Sequence, residues 1–283
     1  MQSRNFRDLL GACADDGKFL CVGIDPDITK IPEHLKSGST RNVFNTFGRA
    51  IVDATKDIAC AFKPNSAFYE MYGEEGYAAL HDICTYILEV APNIPVILDA
   101  KRADIGHTNE GYARSAFEYL KVDAITVHPY LGREALGPFI SRKDKGVFVL
   151  CRTSNPESGE LQDLKVDGES LYLRVAKLVS SSWNSNNNCG LVVGAPYPEE
   201  LRAVRNVAPE IPILIPGIGA QGGDLAASVR QGRNSHGRGI IINASRAILY
   251  ASDGKDYADC ARAMAKEYDS AIRQALVESP SIV

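Results

Sequence analysis

The segment LDAKRADIGHT (98–108) sets Asp99 and Lys101 two residues apart, with Asp104 shortly after them. In an extended strand, residues two apart share one face, so this carboxylate and this ammonium point the same way. Leu98 and Ala100 then face a covering layer of helices. Lys63, at the end of an earlier apolar run in FKPN, adds a second ammonium. A single Asp-x-Lys is readily a buried ion pair that ties strand ends together. Four alternating charges, Lys63, Asp99, Lys101 and Asp104, point instead to a reaction centre. In a dry pocket such charges hold one another ionised.

A second chemical group lies near the end of the chain. IPGIGAQGGD (215–224) is Gly-rich, and INASRAI (242–248) carries an arginine just past an apolar run. Gln221 offers a donor, and Arg246 offers the two-pronged grip that suits phosphate. His128, in TVHPYLG, is a weaker candidate base, since a lone His at a strand end is more often a hydrogen-bonded structural group. The five histidines show no H-x-x-x-H spacing, so no metal is expected.

Eight short apolar runs position these residues: 19–25, 59–65, 95–101, 124–129, 146–153, 189–195, 212–218 and 239–245. Each is nearly continuous rather than alternating, as in parallel strands covered on both faces. Amphipathic helical segments at 45–58, 77–91, 111–121, 169–183, 198–208, 223–232 and 257–278 separate or follow them. This alternation predicts an α/β fold, a single-domain (β/α)8 TIM barrel over 1–283, with an N-terminal helix and a short frayed C-terminal tail, SPSIV. No G-x-G-x-x-G follows the first run, which argues against a doubly wound dinucleotide fold. In a barrel the site lies at the C-terminal strand ends, and phosphate sits after strands seven and eight. Those ends carry Asp25, Lys63 with Asn65, Asp99 with Lys101, His128, Ser154, Gly194, Gly217 and Arg246. The polar stretch SSSWNSNNN (180–188) reads as a surface loop.

With 283 residues, a formal net charge of −4 and no long basic run, the chain lacks a phosphate-tracking surface, and nucleic acid is not an expected partner. Seven scattered cysteines without a C-x-x-C pair read as reduced, buried thiols. The N-terminus has no signal-peptide core, and no apolar stretch approaches the ~20 residues that span a bilayer. A cytoplasmic protein is expected.

DAKRADIGHT with the upstream FKPNSAFYE resembles the orotidine 5′-phosphate decarboxylase family, in its longer bacterial-type branch. LCVGIDPD, FKPN, LDAKRADIG, VFVLCRTSNP, IPGIGAQGGD and INASR follow in that family's order along nearly the whole chain. Ala103, His128 and Pro196 stand where the family more often has Gly, Asn and Thr. The resemblance implies decarboxylation of orotidine 5′-phosphate to UMP, the last step of de novo pyrimidine nucleotide synthesis, with no cofactor. It implies that Asp25 and Lys63 bind the ribose hydroxyls, with Asn65 beside them, and that Asp99 lies against the substrate carboxylate. Lys101 then protonates C6, Ser154 contacts the pyrimidine, and Gln221 and Arg246 hold the phosphate. Asp104, Ile105 and Thr108 reach into the site of a second subunit, which implies a homodimer with shared sites. The chemistry agrees, because a vinylic carbanion without an adjacent carbonyl needs a fixed cation rather than an electron sink. The rival readings are a sugar-phosphate lyase or aldolase that uses Lys63 or Lys101 as a Schiff base, and a non-catalytic nucleotide sensor. Borohydride trapping with a ketose phosphate separates the first, and a turnover assay the second.

Overall fold

A computed structural model describes residues 4–219 and 222–278. Strands form at all eight apolar runs, β3 ending one residue past its own: β1 (Leu20–Gly23), β2 (Ala61–Lys63), β3 (Ile97–Arg102), β4 (Ala124–Val127), β5 (Gly146–Arg152), β6 (Cys189–Val193), β7 (Ile213–Ile215) and β8 (Ile240–Ala244). Every residue of β1, β4, β6, β7 and β8 is buried, as continuous apolar runs require. The hydrogen-bonded order is β2-β1-β8-β7-β6-β5-β4-β3, all parallel. Its two ends meet through single bridges, Phe62 with Val96 and Asn65 with Asp99. Across that seam the Phe62 N–H donates to the Pro95 carbonyl at 3.0 Å, and the Asp99 N–H to the Pro64 carbonyl at 2.9 Å. The sheet is thereby a closed (β/α)8 barrel.

Eight longer helices are α1 (Phe6–Asp15), α2 (Thr40–Thr55), α3 (Gly73–Val90), α4 (Gly106–Arg114), α5 (Leu171–Leu178), α6 (Pro198–Val207), α7 (Leu225–Gly232) and α8 (Tyr257–Val277). On α2, Val43, Phe44, Phe47, Ile51 and Val52 recur at helical spacing and are all buried. Helix α1, capped by the Asn5 side chain, closes the bottom of the barrel. The Phe6 ring meets Phe148 edge-on at 5.6 Å. Gly146 makes room for it, since a Cβ there would stand 2.5 Å from the Phe6 ring. Arg4 locks this segment by donating to both carboxylate oxygens of buried Asp123, at 3.0 and 2.8 Å. No helix among the described residues is long and apolar enough to cross a membrane.

One expectation needs correction, and one small element was not anticipated. The stretch 180–188 is not simply a surface loop: Val179–Trp183 is a π-helical turn with Trp183 buried. Asn188 is buried as well, its amide donating to the carbonyls of Ile140, Arg142 and Lys145 at 3.1, 3.1 and 2.9 Å. An asparagine that satisfies three backbone acceptors is structural despite its polar surroundings. A small antiparallel pair, Lys165–Val166 with Glu169–Ser170, precedes α5. Two-residue strands carry no periodicity, and only the Asp-Gly turn between them signals it. The tail 279–283, expected to fray, lies outside the described residues.

Opposite the strand C-termini, Arg205 of α6 is buried and gathers five carbonyls. Its guanidinium donates to Gly232, Ala208, Pro209, Ile211 and Gly239 at 2.7–3.0 Å. Burial lowers its pKa to about 10. Arg205→Leu should therefore cost about 3 kcal/mol or more, as buried acceptors lose their partner. Denaturant titration should show a lower midpoint at unchanged slope. A loss below about 1 kcal/mol would mean that water replaces the guanidinium.

Candidate active site

The C-terminal end of β1 brings Asp25 against β8. A Cβ on Gly23 would lie 1.9 Å from the Ser245 Oγ, so only glycine lets the two strands approach this closely. That approach allows Ser245 to hydrogen-bond the Asp25 carboxylate. The Asn65 N–H also donates to Asp25 Oδ1, at 3.0 Å. Burial raises the Asp25 pKa even though Lys63 and Ser245 pull it down.

Lys63 ends β2 and is almost wholly buried, with its Nζ 2.9 Å from Asp99 Oδ2. Lys101 Nζ lies 2.6 Å from Asp99 Oδ1, and the Thr126 hydroxyl donates to the same oxygen at 2.9 Å. Burial alone would raise the Asp99 pKa, but the Lys63 and Lys101 ammonium groups outweigh it and hold it well below the usual carboxylate range. Burial likewise pulls Lys63 down, and the Asp99 and Asp25 carboxylates more than reverse this. The expected mutual ionisation of Lys63 and Asp99 is therefore present in the geometry. Strict strand alternation is not how Lys101 joins them. Its φ is +48°, and the β3–β4 register shifts between Leu98 and Arg102. The side chain reaches Asp99 from a left-handed backbone rather than from a regular pleat.

Above this cluster opens a cavity of about 530 Å³, the size of a nucleotide-scale ligand site. Asp25, Lys63, Asp99 and Lys101 line one side, and Leu150, Val192, Leu214 and Ile218 form an apolar wall. Asn65 and Ser154 also line it. The segment that carries Ser154 is held by Gln162, whose Oε1 accepts from the Thr153 N–H at 2.8 Å. Arg246, exposed and with no side-chain partner among the described residues, also lines it. A charged cluster, an apolar wall and a lone guanidinium in one cavity suit a ligand that carries an anion besides its reacting centre.

Seven of the expected residues thus converge on one cavity. Asp104, Ile105 and Thr108 do not line it. Ile105 is 61% exposed and Thr108 is exposed, while the Asp104 N–H is fixed by Asn109 Oδ1 at 2.8 Å. Gln221 lies outside the described residues. His128 does not line the cavity; its N–H donates to the Arg102 carbonyl at 3.1 Å. Sequence reasoning overlooked Thr126 and Asn243, both buried and both lining the cavity. Their signal was present, since each is a polar residue inside an otherwise apolar strand.

The chain as a whole is similar to known proteins. Residues 18–259 match the family described as Orotidine 5′-phosphate decarboxylase / HUMPS. An orotidine 5′-phosphate decarboxylase of Janthinobacterium sp. (strain Marseille) is 51% identical over 255 residues, which cover 90% of this chain and 93% of that one. The solved structure of Leishmania donovani OMP decarboxylase superposes with a TM-score of 0.85 at 40% identity, covering 97% of this chain and 100% of that one. The UMP synthase structure from the same organism gives 0.87 at 42% identity, but there the chain spans only 57% of the longer protein. Sequence and fold agree, and the chain belongs to the orotidine 5′-phosphate decarboxylase / HUMPS family.

Proposed function

We propose that the chain decarboxylates orotidine 5′-phosphate to UMP without a cofactor, using the Lys63–Asp99–Lys101 cluster at the floor of its cavity. The observation that carries this reading is the double ion pair on Asp99, with Lys63 at 2.9 Å and Lys101 at 2.6 Å. Such a centre binds the reacting carbon next to a fixed anion and a fixed cation. The substrate carboxylate lies against Asp99, and the like charges favour its departure. The C6–carboxylate bond breaks, carbon dioxide leaves, and the electron pair stays on C6. Lys101 Nζ stabilises that pair and then donates its proton to it. Because the ammonium meets both needs, the proposed step calls on no electron sink. A Schiff base on Lys63 is disfavoured, since its neighbouring carboxylates hold it protonated.

Around this step the remaining roles are those that the family resemblance implies. Asp25 and Lys63, with Asn65 beside them, take the ribose hydroxyls, and Ser154 takes the pyrimidine. Arg246, with Gln221, takes the phosphate, whose binding energy helps to hold the reacting centre in place. Asp104, Ile105 and Thr108 serve a partner's site in a homodimer. Their outward placement supports this, as do the exposed apolar Met71, Ile105 and Tyr130, which follow the adjacent strands β2, β3 and β4. A cytoplasmic enzyme fits the seven unpaired cysteines, six of them buried.

An ultraviolet assay on orotidine 5′-phosphate should show turnover. Lys101→Ala should still bind UMP while losing activity by several orders of magnitude. Weakened binding with preserved turnover would rule out Lys101 as the proton donor.

Arg246→Ala should lower kcat/KM about 100-fold or more, because it removes a charge-assisted contact. On the phosphate-free nucleoside most of that loss should vanish. Equal losses on both substrates would make Arg246 structural.

Lys101→Ala and Asp104→Ala should each be nearly inactive as homodimers. After random reassortment, half the dimers are mixed and each has one intact site of two, so activity should return to about a quarter of native. If subunit exchange is verified and no activity returns, Asp104 acts within its own chain.

A further inference from the structure

Among the charges on the cavity floor stands one neutral side chain with a double task. Thr126 lies on β4 and is 1% exposed. Its hydroxyl donates to Asp99 Oδ1 at 2.9 Å and accepts the Lys101 backbone N–H, also at 2.9 Å. A hydroxyl can donate and accept at once, so this one atom links the carboxylate of one residue to the backbone of the other.

The link matters because Lys101 is held in a conformation its chemistry disfavours. At φ +48° a residue with a Cβ is strained and stays there only if its surroundings insist. Neighbours on both sides constrain it. Behind, the N–H is tied to Thr126. Ahead, the Arg102 guanidinium pairs with Glu70 and lies 5.2 Å from the centre of the Tyr112 ring, and the Arg102 carbonyl accepts from the His128 backbone N–H at 3.1 Å. Of these, only Thr126 touches the reacting cluster. Its hydroxyl also occupies Asp99 Oδ1 beside Lys101 Nζ, leaving Oδ2 to Lys63. The two oxygens of Asp99 are thus assigned to different lysines.

We infer that Thr126 is a positioning residue for the decarboxylation, setting the Lys101 ammonium and the Asp99 carboxylate relative to each other through one hydroxyl. The inference rests on Lys101 as the proton donor. A threonine that merely filled the wall would be replaced without loss by valine, which has its shape but no hydroxyl.

Thr126→Val, Thr126→Ala and Thr126→Ser are compared with the parent chain for kcat, KM, UMP affinity and denaturant stability. Thr126→Val should lower kcat about 10- to 100-fold, with KM and UMP affinity within about threefold, since Asp25 and Arg246 are untouched. Thr126→Ser, which keeps the hydroxyl, should recover kcat to within about threefold of the parent. If Thr126→Val does not fold, the contrast of Thr126→Ala with Thr126→Ser carries the same test. The positioning role is overturned if a folded valine or alanine variant keeps kcat within threefold, if the loss falls on KM alone, or if serine is as impaired as valine. Lys101→Ala, run alongside, separates the two claims. Native turnover there removes the underlying reading, whereas a dead Lys101→Ala beside an active Thr126→Val removes only the role of Thr126.

Discussion

A carboxylate inside a barrel is tolerated only when cations and donors meet it, and the arrangement of this protein turns on how Asp99 is met. Its side chain receives Lys63, Lys101 and Thr126. Its backbone closes the barrel, because the Asn65–Asp99 bridge is one of only two that join β2 to β3 among the described residues. The Lys63–Asp99 ion pair crosses the same seam. Where the backbone ladder is thinnest, a buried ion pair supplements it. The residue that organises the charges also fixes the relative position of the strands that carry them.

The parallel barrel explains how residues as distant as Asp25 and Arg246 share one cavity. All eight strands deliver their C-terminal ends to one mouth, so each adds residues to its lining. Charged groups come from the ends of β1, β2, β3 and β8, and the apolar wall from β5, β6 and β7. The opposite mouth serves stability. There Phe6 packs on Phe148, Arg4 pairs with Asp123, and Arg205 gathers five carbonyls. Chemistry and stability thus occupy different ends, and a loop at the reactive mouth can change without loosening the base.

Local rules hold in most of the chain and fail where the geometry is special. Lys101 adopts a left-handed backbone that its residue type disfavours, at the centre of the charged cluster. Trp183 and Asn188 sit in a stretch of serines and asparagines, yet both are buried. In the first case the cross-strand contact to Thr126 overrides the pleat. In the second, unpaired carbonyls at the foot of the barrel recruit the nearest amide.

Composition and spacing alone determined the eight strands, since continuous apolar runs admit few solutions other than strands buried on both faces. They also determined that Lys63, Asp99 and Lys101 belong together, because charges that end buried strands must be paired. The family was legible in the motifs from LCVGIDPD to INASR. Only the tertiary structure decided that Thr126 bridges Asp99 and Lys101, that Lys101 arrives from a left-handed backbone, and that Asp104, Ile105 and Thr108 stand apart from the cavity of their own chain. The physical reason is that strand alternation is a property of one strand, whereas these contacts depend on the register and stagger between strands. That register is set by closure of the whole barrel, which no local stretch of sequence encodes.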